Sequence, residues 1–235
     1  MESDFGRGVG GFVETTSTAA DDQSGRLWFK RPLDLLIAIP LLTLLAPLLV
    51  VVAVLIKLDS PGPAIYVQER VGRDGRRFQM WKFRSMYAGT DDLSHRQAAA
   101  DWFAGVPAPE GYKLRRDARV TRIGRLLRWT SLDELPQLIN VVRGEMSLVG
   151  PRPAIAYELD HYADWHYQRF KVRPGVTGLW QVTGRDWVPA AEMMRMDCQY
   201  VLECSPWLDV KIMALTIPSI LGLSFKKARM GRAGT

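Results

Sequence analysis

The sequence predicts a mostly helical α+β protein: a re-entrant membrane helix followed by a small cytoplasmic domain with a β-hairpin and amphipathic interfacial helices. Three observations predict it. An uncharged run from Leu35 to Ile56 carries two prolines and has basic residues on both sides. Apolar and β-branched segments bracket Arg73-Asp74-Gly75, a hairpin signal. Short amphipathic stretches punctuated by Gly and Pro fill the rest.

Residues 1–26 are rich in Gly, Ser, Thr and Asp without an apolar period, which predicts a disordered leader. Residues 27–57 form the membrane segment. At about 1.5 Å per residue, a helix from Leu35 to Ile56 reaches roughly 33 Å, enough to cross a hydrocarbon core. Two features argue against crossing. Pro40 and Pro47 lie inside the run, and an interior proline removes a backbone bond and bends the axis. Arg26, Lys30 and Arg31 precede the run, and Lys57, Arg70, Arg73, Arg76 and Arg77 follow it, so the positive-inside rule asks for both flanks in the cytoplasm. A helix broken near Ala46-Pro47 satisfies both; a tilted single span with a proline kink is the alternative.

Residues 58–225 are the expected catalytic domain. Asp59-Ser-Pro-Gly-Pro is a loop before the hairpin. Residues 90–112 read as a loop with a short helix, and Arg122 to Arg128 as a short amphipathic stretch. Leu132 to Val142 reads as a helix capped by Gly144, Arg173 to Gly178 as a turn, and Ala190 to Val201 as a helix. The uncharged run from Ile212 to Phe225, with Pro218, is too short to span and suits an interfacial or core helix. Residues 226–235 form a basic tail that could touch anionic headgroups.

The chain has 235 residues, 47% hydrophobic and 24% charged, with a net charge of +6, which favours an anionic partner. Cys198 and Cys204 match neither a disulfide framework nor a zinc signature, and there are three His, so any divalent metal would sit on carboxylate and phosphate oxygens.

The densest chemical signal is Thr130-Ser-Leu-Asp-Glu-Leu-Pro-Gln. Asp133 and Glu134 are adjacent acids at a helix start. Ser131-x-x-Glu134 also fits a capping box, which would make the acids ordinary first-turn residues. Pro136 pulls the other way: placed at the first helical position, it leaves both acids before the helix. The stretch from Lys113 to Arg128 holds Lys113, Arg115, Arg116, Arg119, Arg122, Arg125 and Arg128 against Asp117, and Arg152 follows in Gly150-Pro-Arg-Pro. A solvated basic face explains such a run, yet carboxylates for a metal and arginines for phosphates are also the minimum for phosphoryl transfer. Lys82 and Arg84 read as an outward row on a strand. Trp180, Trp187 and Trp207 suit core packing or membrane anchoring before ring stacking.

Together these segments resemble the bacterial sugar transferases, the monotopic phosphoglycosyl transferases that begin glycan assembly on polyprenyl phosphate. The blocks are Lys30-Arg-Pro-Leu-Asp34, Gln68 to Gly72, Trp81 to Met86, Thr130 to Leu138, Arg143 to Pro153 and Arg173 to Arg185, and the resemblance covers about residues 28 to 224. It implies transfer of a sugar phosphate from a UDP-sugar, first a UDP-hexose, to polyprenyl (undecaprenyl) phosphate in exopolysaccharide or other glycoconjugate synthesis. Asp133 would be the nucleophile and Glu134 the ligand of Mg²⁺, with Mn²⁺ as an alternative. Lys82, Arg84, Arg128 and Arg152 would meet substrate phosphates, and Gln181 and Arg185 would lie near the nucleotide or sugar or support the site. The location implied is the cytoplasmic face of the bacterial inner membrane, in contact with anionic lipid and without nucleic acid; a homo-oligomer stays open. One departure is Ala46-Pro47 where the family carries Ser-Pro, with Thr43 one turn earlier as a substitute for the hydroxyl. Two other classes stay open on the residues: a non-enzymatic binder of acidic lipid or nucleic acid, and a glycosyltransferase that moves the sugar alone.

Overall fold

The computed structural model describes residues 27–87, 89, 93–106, 117–183 and 188–220. The leader, the basic tail, Lys113, Arg115, Arg116, Arg185 and Trp187 lie outside these residues. Helix α1 (Lys30–Asp59) is followed by β1 (Ile65–Val71) and β2 (Arg77–Phe83), α2 (Leu93–Phe103), α3 (Arg122–Thr130), α4 (Gln137–Arg143) and β3 (Ser147–Val149). Then come β4 (Gly175–Thr177), α5 (Leu179–Thr183), α6 (Ala190–Glu203) and α7 (Pro206–Ile220).

Helix α1 is a continuous helical run through Pro40 and Pro47, so no non-helical segment separates two helices at Ala46-Pro47; an interior proline bends the axis of a helix without ending it. Each proline deletes one backbone bond, but the leucine-rich turns on either side keep theirs. The Thr43 hydroxyl donates to Ile39 O at 2.9 Å. That is not the carbonyl Pro47 leaves without its helical donor, which is Thr43's own.

Both ends of α1 are fastened to the same domain. At the start, Lys30 Nζ donates to Val149 O, Tyr200 OH and Asp209 Oδ2 at 2.6–2.8 Å. Arg31 donates to Val141 O and Val142 O, and Asp34 Oδ1 accepts from Ser147 Oγ and Leu148 N. At the far end, Asp59 Oδ2 accepts from Ile123 N at 3.0 Å, and Val52 and Ile56 pack with Phe83 and Leu127. Between these anchors, Leu36, Leu44, Val50, Val51 and Val54 are more than half exposed. A run of leucine and valine left bare in this way calls for an apolar surrounding.

The hairpin forms as expected. β1 and β2 are antiparallel, Ile65 opposite Phe83 and Val71 opposite Arg77, and Asp74 takes φ 57° at the turn. The main core gathers Phe78, Met80, Leu138, Val141, Met146, Leu148, Val149, Tyr200 and Ile212 around it. The turn expected at Arg173 to Gly178 instead contains β4, parallel to β3. Glycine is required there: a Cβ on Gly175 would lie 2.1 Å from Gly150 N.

Candidate active site

The acids sit where two helices meet. Helix α3 begins at Thr121, whose hydroxyl accepts from Gly124 N. It ends at Ser131, which takes left-handed φ 57°, a costly conformation for a non-glycine residue. A 3-10 turn, Leu132–Glu134, follows, and Pro136 then caps α4. The helix expected from Leu132 therefore begins only at Gln137. Ser131 makes no side-chain cap bond, so the capping-box explanation fails. Both acids precede the helix, as the proline requires, and both are part-exposed.

Lys82 reaches this turn from β2. Phe78 and Met80 are buried in the core, and by strand alternation Lys82 continues their face. It is not part of an outward row: its Nζ lies 3.4 Å from Glu134 Oε1, with both side chains about one-quarter exposed. Asn140, fully buried on α4, holds the strand in place. Its Oδ1 accepts from Trp81 N and its Nδ2 donates to Gln79 O and Glu145 Oε2. Sequence reading missed this residue; a lone Asn on the apolar face of a helix was the available signal.

Arg128 closes the site from the last turn of α3, donating Nε to Ser85 Oγ at 2.9 Å. Desolvation of the guanidinium pulls its pKa down, and the carboxylates of Asp133 and Asp117 oppose that shift. Helix α3 lies close to the end of β2: a Cβ on Gly124 would stand 2.0 Å from Ser85 O. Two elements thus bring Lys82 and Arg128 to the Asp133-Glu134 turn.

The other candidates make contacts of their own. Arg84 is buried, not outward, because β2 ends at Phe83 and the alternation ends with it. Its guanidinium donates to Pro61 O, Ser60 O and Ser60 Oγ, closing the C-terminal end of α1. Arg152 donates to Glu158 Oε1 at 3.0 Å. Glu158 has no exposed surface; burial acts to raise its pKa, but Arg152 and Arg70 overcome this and hold it at about 2. Behind it, buried Arg169 donates to Arg152 O, Asp197 Oδ2 and Tyr162 OH. Gln181 lies on α5, and its Oε1 is buried without a hydrogen-bond partner. Trp180 is core; Trp207 is 77% exposed.

No group of three or more His, Cys, Asp or Glu able to hold a metal occurs among the described residues. Asp133 and Glu134 fit the other mode of binding, in which Mg²⁺ takes one or two carboxylates and completes its shell with substrate phosphates and water.

A part-exposed pair of acids facing a lysine and an arginine can hold phosphate oxygens through the bases and a divalent cation through the acids. The family model described as bacterial sugar transferase matches residues 25–222, and the chain belongs to that family. A UDP-galactose-lipid carrier transferase of Erwinia amylovora is 47% identical over 194 residues, 83% of this chain and 40% of that protein. A UDP-glucose:undecaprenyl-phosphate glucose-1-phosphate transferase of Caulobacter vibrioides is 44% identical over 200 residues, 82% of this chain and 69% of that protein. The exopolysaccharide production protein ExoY of Rhizobium meliloti is 40% identical over 197 residues, 81% of this chain and 84% of that protein. The chain thus matches 40% of the length of the first and most of the third.

Proposed function

We propose that this chain transfers a hexose 1-phosphate from a UDP-sugar to undecaprenyl phosphate and releases UMP. The observation that carries this reading is the Asp133-Glu134 turn set against Lys82 and Arg128 in a member of the sugar transferase family. The names of its relatives support galactose and glucose as the first sugars to try.

Asp133 is the nucleophile. Its carboxylate oxygen attacks the phosphorus that carries the sugar, the bond to the bridging diphosphate oxygen breaks, and UMP leaves with that electron pair. The resulting acyl phosphate is a good donor. An oxygen of undecaprenyl phosphate then attacks the same phosphorus, and the Asp133 carboxylate departs unchanged. Glu134 would hold Mg²⁺, which supplies charge neutralisation across the diphosphate oxygens. Lys82 and Arg128 bind the same oxygens from two sides, and Lys82 keeps the Glu134 carboxylate turned toward the site. Arg128 matches a phosphate with two parallel donors, whereas Lys82 acts as a point charge.

A membrane-embedded helix that enters and returns on the cytoplasmic face is supported by the fastening of both ends of α1 to one domain. The basic flanks agree. Exposed Leu126 and Trp129, beside Arg122 and Arg125 on α3, suit a helix lying at the headgroup level.

The test is nucleotide release. The protein in detergent is given undecaprenyl phosphate and a panel of UDP-hexoses, with and without EDTA. UMP, lost on chelation, is the expected product. UDP would show that only the sugar moves, and no release with any donor would return the chain to the binding class.

A further inference from the structure

A pocket of about 180 Å³ opens beside the start of α1, lined by Leu27, Trp28, Lys30, Arg31, Arg73, Val172 and Arg173. Lys30 is committed to Asp209, but three arginines reach the pocket from three different elements. Arg31 and Arg173 are held by the end of α4: Arg31 donates to Val141 O and Val142 O, and Arg173 Nε to Gly144 O. Gly144, at φ +83°, leaves room for this, since a Cβ there would lie 3.4 Å from Arg31 Cζ. A guanidinium has five N–H donors, so these bonds fix the two groups without using all of them. Arg73 comes from the hairpin turn and pairs only loosely with Asp74, at 3.4 Å and half exposed.

The clustering costs energy. Desolvation lowers the Arg173 pKa, the nearby Arg73 and Arg31 lower it further, and Asp34 and Asp74 oppose them. An anion between the three would relieve that repulsion with charge-assisted, forked hydrogen bonds. The rim indicates where the anion comes from. Trp28 is 74% exposed and lies two residues before α1, a position suited to the edge of a bilayer.

The pocket is distinct from the transfer site. Pro136 and Gly144 mark opposite ends of α4, about 12 Å apart along the helix axis. Along the hairpin, Arg77 lies about 17 Å from Lys82, and Arg73 lies beyond Arg77 in the turn.

We propose that Arg31, Arg73 and Arg173 form a second anion site that takes a phosphate group, either an anionic lipid headgroup or free phosphate. The proposal does not depend on the transfer reaction. Site-resolved arginine modification by phenylglyoxal, read by peptide mass spectrometry on the full chain, tests it. Inorganic phosphate is one arm, against sodium chloride of equal ionic strength. Reconstitution into phosphatidylcholine bilayers with or without phosphatidylglycerol is the other. Modification of Arg73 and Arg173 should slow by about threefold or more in at least one arm, while exposed Arg195, paired with Glu192 on α6, is unaffected. Protection by inorganic phosphate identifies free phosphate as sufficient, and protection only with phosphatidylglycerol identifies the headgroup. In Arg73→Gln, which leaves the α4 carbonyl bonds intact, protection of Arg173 should weaken. Equal modification in all arms, equal slowing at Arg195, or undiminished protection in Arg73→Gln would each overturn the proposal.

Discussion

Lys82 Nζ stands 3.4 Å from Glu134 Oε1, across a gap between a strand and a 3-10 turn more than fifty residues apart in sequence. A part-exposed ion pair of this kind contributes about 0–1 kcal/mol to stability. Its value is therefore positional. Lys82→Met should leave the melting temperature nearly unchanged and lower the transfer rate by about 100-fold, the usual loss for one phosphate-stabilising group. Paired thermal-melt and UMP-release measurements check this; an active Lys82→Met enzyme would remove the lysine from the site.

Arg84 should behave in the opposite way. Its guanidinium closes the end of α1 by binding carbonyls of Ser60 and Pro61, and it is almost wholly buried. Arg84→Lys cannot reproduce that fork and should cost about 2–4 kcal/mol of stability. The surviving folded enzyme should keep its KM for the UDP-sugar. A raised KM with unchanged stability would restore the phosphate-binding role expected from sequence.

Asn140 joins the two elements that form the site. Asn140→Ala leaves Trp81 N and Gln79 O without their Asn140 partner and should cost about 1–3 kcal/mol. Because β2 carries Lys82, the rate should fall as well. Chemical denaturation and turnover measured on the same preparation separate the two effects.

The Glu158 cluster predicts an acid dependence. The native pKa of about 2 lies below the ordinary 4.5, so the ionised carboxylate stabilises the fold. That contribution, on the order of 3 kcal/mol, is complete above about pH 4.5 and is lost as pH falls toward 2. Asp197 has the opposite sign: burial raises it to about 6, against the pull of Arg169, so its protonation below pH 6 favours the folded state. Glu158→Gln should be less stable at neutral pH and should lose the steep acid limb between about pH 4.5 and 2. Melting temperatures across that range decide it.

The legible parts of the fold were the local ones. Gly-marked turns and apolar periodicity identified the hairpin, the Gly144 cap and helix α6, because each rests on residues close in sequence. The parallel pair of β3 and β4 was not legible: each strand has three residues, and their close approach relies on Gly150 and Gly175, which no local pattern pairs. Asp133, Glu134, Lys82 and Arg128 were all named from sequence, and the fold brings them to one place. The inward turn of Arg84 was missed because β2 ends one residue before it. The ion cluster around Arg152 depends on Arg169 and Asp197, whose proximity no local pattern announces.

The central claim is that Asp133 carries the phosphosugar while Glu134 does not. The most direct measurement is the intact mass of the protein after incubation with UDP-sugar and Mg²⁺ in the absence of undecaprenyl phosphate. The parent chain and Glu134→Gln at excess Mg²⁺ should gain the mass of a hexose phosphate, the variant to a smaller extent, and Asp133→Asn should gain nothing under any condition. An adduct on Asp133→Asn, or turnover by that variant, would contradict the account.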